Sequence, residues 1–239
     1  MHPRAAIREK LSRAATAKLG LRSDLSNLSH PLSLIERLGM TCRGLIHVGA
    51  NTAPEFDDYR RAGLACVVYI EPIPHIFAAL KERVSIDPHH HAIQALCTDR
   101  TGDEIEFNVA SNNGESSSIF PLGNHAPKYP EITYQTKIRV QSRTLDDIIF
   151  SDDSIQVDAI DCLVMDVQGA EMKVIAGARR TLAQCRYVFT EVNEGGLYQG
   201  DSSYMEIVSD LAHYGFALRS LDLNEKGWGN AFLVRRGLL

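Results

Sequence analysis

The sequence predicts one α/β domain with a doubly wound, mostly parallel sheet covered by helices on both faces. Three observations carry that reading. Compact apolar runs alternate with helical patterns from residue 44 onward, the signature of βαβ units. Several of the runs end in a glycine or an acid, as strands do at the ligand-binding edge of such sheets. The chain has 239 residues, 44% hydrophobic and 23% charged, enough to bury one generous core.

The elements follow in order. Residues 1–43 are expected to form an N-terminal helical extension and residues 44–239 the main domain. In the extension Ile7, Leu11, Ala14 and Lys18 recur at helical spacing, and a second short helix is expected over residues 32–38. Leu45 to Val48 before Gly49, and Cys66 to Ile70 before Glu71, read as parallel strands joined by a crossover helix over 55–62. A helix over 74–84 leads to a strand over 92–97. Residues 105–109 and 138–140 alternate apolar and polar like exposed strands, and are expected to form an inserted β-hairpin region. Residues 162–165 before Asp166 and 187–190 before Glu191 repeat the buried pattern, flanking a helix with Ile175, Ala178 and Leu182 on one face. A helix over 204–213 and strands over 216–221 and 231–234 complete a seven-stranded, Rossmann-like sheet.

Composition narrows the function. The net charge of −5 lacks the basic excess that concentrates a protein on phosphate backbones, so nucleic acid is not expected as a partner. Only residues 1–22 are basic, with Arg4, Arg8, Lys10, Arg13, Lys18 and Arg22 against Glu9. A helix packed on the domain is preferred there to a membrane or targeting role. No run approaches the 18–20 apolar residues of a spanning helix. Five cysteines without CxxC spacing read as free thiols in a reducing, cytoplasmic setting. The oligomeric state has no readable pattern, and a homo-oligomer stays open.

The strongest functional signal is LIHVGAN at 45–51 followed by YIEP at 69–72. Strand, glycine turn, helix, strand and terminal acid form the arrangement that holds an adenosine-containing cofactor. Gly49 lets the backbone approach the ligand, and Glu71 accepts hydrogen bonds from ribose hydroxyls. A nicotinamide or flavin dinucleotide needs three glycines as GxGxxG to pass its pyrophosphate, whereas GANTAP has one.

IHVGAN, YIEP, SNNGESSSIF (111–120), TLDDI (144–148) and MDVQGAE (165–171), taken in order, resemble the FkbM family of S-adenosylmethionine-dependent methyltransferases over residues 44–235. The resemblance implies methyl transfer to a hydroxyl of a sugar or natural product, a small-molecule or glycan acceptor. It implies that Gly49, Ala50 and Asn51 line the methionine and ribose part of the cofactor, with Glu71 and the neighbouring Pro72 at the ribose. Thr98 and Asp99 are then expected near the adenine. Family members often carry Asp where this chain has His47, another expected cofactor contact. SNNGESSS becomes a mobile cover with Asn112, Ser116 and Ser117 touching the cofactor, in preference to an idle loop.

Methyl transfer from a sulfonium is an in-line displacement in which alignment matters most and proton removal adds to it. Asp166 and Glu191 follow buried strands, should reach the same edge as Gly49 and Glu71, and are the leading catalytic carboxylates. Asp166 could instead cap the next helix, and Glu171 could serve that helix's dipole. His125, in a Pro-flanked loop, is a further candidate proton acceptor. Asp166, Glu191 and Asn193 form an all-oxygen set of the kind that holds a divalent metal, but EVN matches that pattern loosely and a metal-free reaction is preferred. His89, His90 and His91 read as a solvated loop. Two rivals stand beside the methyltransferase: a nucleotide- or dinucleotide-dependent oxidoreductase, and a noncatalytic cofactor-binding protein.

Overall fold

The computed structural model describes residues 30–238. Seven strands form the main sheet: β1 (Gly44–Val48), β2 (Cys66–Ile70), β3 (His90–Ile93), β7 (Cys162–Met165), β8 (Tyr187–Asn193), β9 (Phe216–Leu223) and β10 (Trp228–Arg235). Their order is β3-β2-β1-β7-β8-β10-β9. The pairs from β3 through β8 are parallel, and β10 is antiparallel to both of its neighbours. β1 and β2 are buried along their whole length. That is why they read as continuous apolar runs rather than alternating ones.

The pleat sends alternate side chains to two cores. On one face Ile46, Val48, Ile70, Leu163 and Val188 pack with α5 (Leu145–Phe150), α6 (Glu171–Ala176), α7 (Arg179–Gln184) and α8 (Tyr204–His213). On the other Leu45, Val67, Tyr69, Val164 and Phe232 pack with α1 (Pro31–Arg37), α2 (Phe56–Arg61) and α3 (Pro74–Val84). By parity His47 belongs to the second face. Asp161 pins the foot of the sheet: its buried carboxylate accepts bonds from the Arg43 backbone N–H (2.9 Å), Nε (3.0 Å) and Nη2 (2.8 Å).

The inserted region is a separate three-stranded sheet, β4-β6-β5, with β4 at Leu96–Cys97, β5 at Glu104–Ala110 and β6 at Tyr134–Arg143. Phe107, Val109 and Leu96 join it to Ile73 and Ile76 of the main body. The strand expected over 92–97 is therefore two strands in two sheets, broken at Gln94 and Ala95 where the chain leaves β2 for β6. The single helix expected through Ile175 and Leu182 is also two, α6 and α7, separated at Gly177. A Cβ on Gly177 would collide with the carbonyl oxygen of Thr98, so the break lets the insertion's first strand lie close.

His90 is not in a solvated loop. It is a buried β3 residue whose Nδ1 meets the Tyr69 hydroxyl at 2.9 Å. The short helix expected near residues 32–38 is α1, packed through Leu34 and Ile35, whereas the amphipathic reading of residues 7–18 lies outside the described residues. All five thiols are free, Cys42 half-buried and the others buried. Among the described residues no helix is long and apolar enough to cross a membrane.

Candidate active site

The carboxyl ends of β1, β2, β7 and β8 converge on one edge of the sheet, bringing Gly49, Glu71, Asp166 and Glu191 together. The turn after β1 is tight. Gly49 has φ +79°, and a Cβ there would strike the carbonyl oxygen of Asp166. Asn51 and Ala53 are also left-handed, at φ 47° and 50°. This contour turns the Asn51 N–H onto Glu71 Oε2 at 3.0 Å, while Ile73 N–H donates to Oε1 at 2.8 Å. Glu71 is 5% exposed, and burial outweighs those two bonds and pushes its pKa up to about 7.

A cavity of about 290 Å³ opens here, within the Gly49 turn, Glu71 and Pro72 on one side and the apolar group Ile73, Leu96, Phe107 and Ile119 on another. His47, Ala50, Asn51, Ser117 and Asp166 also line it. Thr98 and Asp99 do not. The Thr98 hydroxyl donates to Arg100 O, and Asp99 pairs with Lys173 at 3.1 Å, leaving Ala95, Leu96 and Cys97 as the wall from that segment. The serine-rich loop is held by bonds: Ser117 Oγ accepts from Ala110 N–H, Asn112 Nδ2 donates to Ser116 Oγ, and Ser118 Oγ donates to Gln168 O. Gly114 and Ser117 line the first cavity, whereas Asn112 and Ser116 line a second.

The second cavity, of about 450 Å³, shares His47, Glu55, Glu115, Asp166 and Gln168 with the first. Glu191, His125, Tyr129 and Trp228 are on its walls. Gln168, which sequence reasoning passed over, organises this junction. It is left-handed at φ 53°, and its Nε2 donates to Asp166 Oδ1 (2.5 Å) and Glu191 Oε2 (3.1 Å). Its Oε1 accepts from the Tyr198 hydroxyl at 2.5 Å. Burial, and then the neighbouring Asp166 charge, push the Glu191 carboxyl well above the usual range. Gln168 lies within MDVQGAE, but its partners Glu191 and Tyr198 lie on distant segments that no local spacing signals.

Other expected roles sort out by geometry. The helix after β7 has Ala170 at its N-cap, and the buried Glu171 takes the N–H groups of Val167 (3.3 Å) and Gly169 (3.2 Å) instead of facing either cavity. Burial raises Glu171 to about 7. Asn193 Oδ1 accepts from Gly195 N–H at 2.6 Å, so that oxygen serves the backbone rather than the Asp166–Glu191 set. His125 is not exposed: it begins the short helix α4 (His125–Lys128), buried between Tyr129 and Tyr198 with ring centroids 4.9 and 5.5 Å away. Burial lowers its pKa. His47 is pushed down to about 4, again by burial, and its Nδ1 lies 3.9 Å from Glu55 Oε2.

The model of the methyltransferase FkbM domain matches residues 47–218. A curated relative, 2-O-methyltransferase NoeI of Sinorhizobium fredii, is 30% identical over 205 residues, covering 82% of each chain. Two solved structures are more remote. The complex of TrmK from M. capricolum with S-adenosyl-homocysteine is 7% identical, with a TM-score of 0.49 over 87% of this chain and 69% of that one. A TehB-like methyltransferase from Corynebacterium glutamicum is 8% identical, with a TM-score of 0.45 over 98% and 100%.

Proposed function

The chain belongs to the FkbM methyltransferase family, and from that premise we propose that it transfers a methyl group from S-adenosylmethionine to a hydroxyl of a small-molecule or glycan acceptor. The observation that carries this is the junction of two cavities at Asp166 and Gln168, one cavity fitted to a nucleoside and the other free for an acceptor. The fit is chemical. Both Glu71 oxygens are fixed by backbone N–H groups, which aims their remaining lone pairs for two ribose hydroxyls. Ile73, Leu96, Phe107 and Ile119 offer the apolar surface a purine needs. When bound, the cofactor supplies a methyl group activated on a sulfonium.

The protein's own part is placement and proton handling. Tyr198 holds Gln168, and Gln168 holds Asp166 at the shared wall. There Asp166 orients the acceptor hydroxyl and receives its proton, with the Glu191 carboxyl beside it. His125, also on the second cavity, serves the acceptor side rather than the cofactor. The name of the relative, a 2-O-methyltransferase, supports an oxygen as the methyl acceptor. The five free thiols fit a cytoplasmic setting.

Calorimetric titration with S-adenosylhomocysteine, paired with turnover on hydroxylated acceptors, tests the reading in wild type and Asp166→Asn. The expected result is cofactor binding that persists and changes far less than turnover, which should fall by roughly 10²-fold or more, the usual contribution of a proton-accepting group. Absence of cofactor binding in wild type would overturn the proposal.

A further inference from the structure

Gln168 is left-handed at φ 53°, and Gly169 follows at φ 96°. A non-glycine residue persists in that region only where its surroundings fix it, and such residues gather at sites that need a set geometry. Two groups fix this turn. The buried Glu171 carboxyl takes the N–H groups of Val167 and Gly169, which flank Gln168. Ser118, fully buried in the insertion, donates to the Gln168 carbonyl at 2.7 Å and accepts from Phe120 N–H at 3.1 Å. A serine suits that place because one short hydroxyl both donates and accepts. With the backbone held there, the Gln168 amide meets Asp166, Glu191 and the Tyr198 hydroxyl.

Ser118 lines neither cavity, yet its neighbours line both. Gly114, Ser117 and Ile119 are on the wall of the first cavity, Asn112 and Ser116 on that of the second, and Glu115 on both. The same loop is tied to Glu71, because Asn51 donates its backbone N–H to Glu71 Oε2 and its side-chain Nδ2 to Asn113 O at 3.1 Å. Hydrogen bonds and short stretches of chain therefore join Glu71 to Ser118, and Ser118 through Gln168 to Asp166 and Tyr198. Beyond Tyr198, ring contacts run to His125 and on to Tyr129, whose hydroxyl accepts from the Trp228 ring N–H.

Resting on the methyltransferase reading, we propose that Ser118 is a positioning residue that couples the two cavities. Cofactor seated against Glu71 and the serine-rich loop fixes Gln168 through Ser118, and so sets Asp166 and the acceptor wall for methyl transfer. Such coupling is reciprocal, so an acceptor tightens the cofactor by the factor with which the cofactor tightens the acceptor.

Trp228 is the only tryptophan of the chain and lines the second cavity but not the first. Its fluorescence therefore reports the acceptor wall while S-adenosylhomocysteine is titrated into the cofactor cavity of the full chain. In wild type, saturation should shift Trp228 emission and lower its quenching by acrylamide. Ser118→Ala should still bind S-adenosylhomocysteine by calorimetry but lose the Trp228 response. Tyr198→Phe keeps its ring and cuts the same path beyond Gln168, so it should lose the response as well, which frees the test from how well Ser118→Ala folds. A wild-type Trp228 that ignores bound S-adenosylhomocysteine, or a full response in either variant, would overturn the proposal. So would loss of S-adenosylhomocysteine binding in folded Ser118→Ala, because the hydroxyl would then serve the cofactor cavity itself. Failure of wild type to bind S-adenosylhomocysteine would instead strike the methyltransferase reading beneath it.

Discussion

Replacing Glu71 by Gln removes one buried ionisable group and keeps its shape, and the effect on stability should depend on pH. Burial raises Glu71 from 4.5 to about 7, and at 1.36 kcal/mol per tenfold this gap corresponds to about 3 kcal/mol. The folded-state value lies above the unfolded one, so the folded protein holds the proton more tightly. That stabilisation is complete below pH 4.5 and is lost as pH rises through 7. Glutamine has no such dependence, but its NH₂ must face one of the two donors, Asn51 N–H or Ile73 N–H, a loss of about 1–3 kcal/mol at every pH. The variant should therefore be the less stable protein at pH 5 and should equal or exceed wild type near pH 8. Urea unfolding of both proteins without cofactor, followed by circular dichroism from pH 5 to 8, reads the difference directly. Taking the difference cancels Glu171 and Glu191, whose pKa values are also raised. Parallel stability curves for the two proteins would refute the argument, since they would mean that Glu71 ionises as freely in the fold as out of it.

Two further substitutions probe the frame of the site. Gly49→Ala places a Cβ against the Asp166 carbonyl in a left-handed backbone. It should cost about 2–4 kcal/mol by thermal unfolding and weaken S-adenosylhomocysteine binding, and a variant that binds and melts like wild type would contradict the close approach. Asp161→Ala removes all three bonds to Arg43. Because the Arg43 side chain is largely exposed and can be solvated, the expected loss is about 2–3 kcal/mol in urea unfolding with cofactor affinity retained.

The elements most legible in the sequence were those set by local chemistry. Cys66–Ile70 and Cys162–Met165 are short apolar runs bounded by turn signals, and Tyr204–His213 begins at a capping box made by Ser203 and Glu206. The elements that differed were set by distant contacts. Nothing near Gly177 states that Thr98 will lie against it, and nothing near Ala95 states that β6 awaits the next two residues. The site divides in the same way. Gly49, Glu71, Asp166 and Glu191 were readable because strand ends of a parallel sheet share one edge. Gln168 and Tyr198 were not, because the junction they hold forms only where the segments carrying Asp166, Glu191 and Tyr198 meet.

The place of β1 in the sheet bears on how the chain is made. It pairs with β2, which follows it closely, and with β7, which begins only at Cys162. At about 5–20 residues per second, a ribosome takes roughly 6–23 s to cover that interval. Throughout it the β1 edge, destined for burial on both faces, is an open template for pairing with any other extended chain. The cofactor offers no relief, because Asp166, Val167, Gln168 and Ala170 close its cavity and emerge only after β7. Slowing translation between codons 71 and 162 should lower soluble yield more than the same delay placed after codon 193.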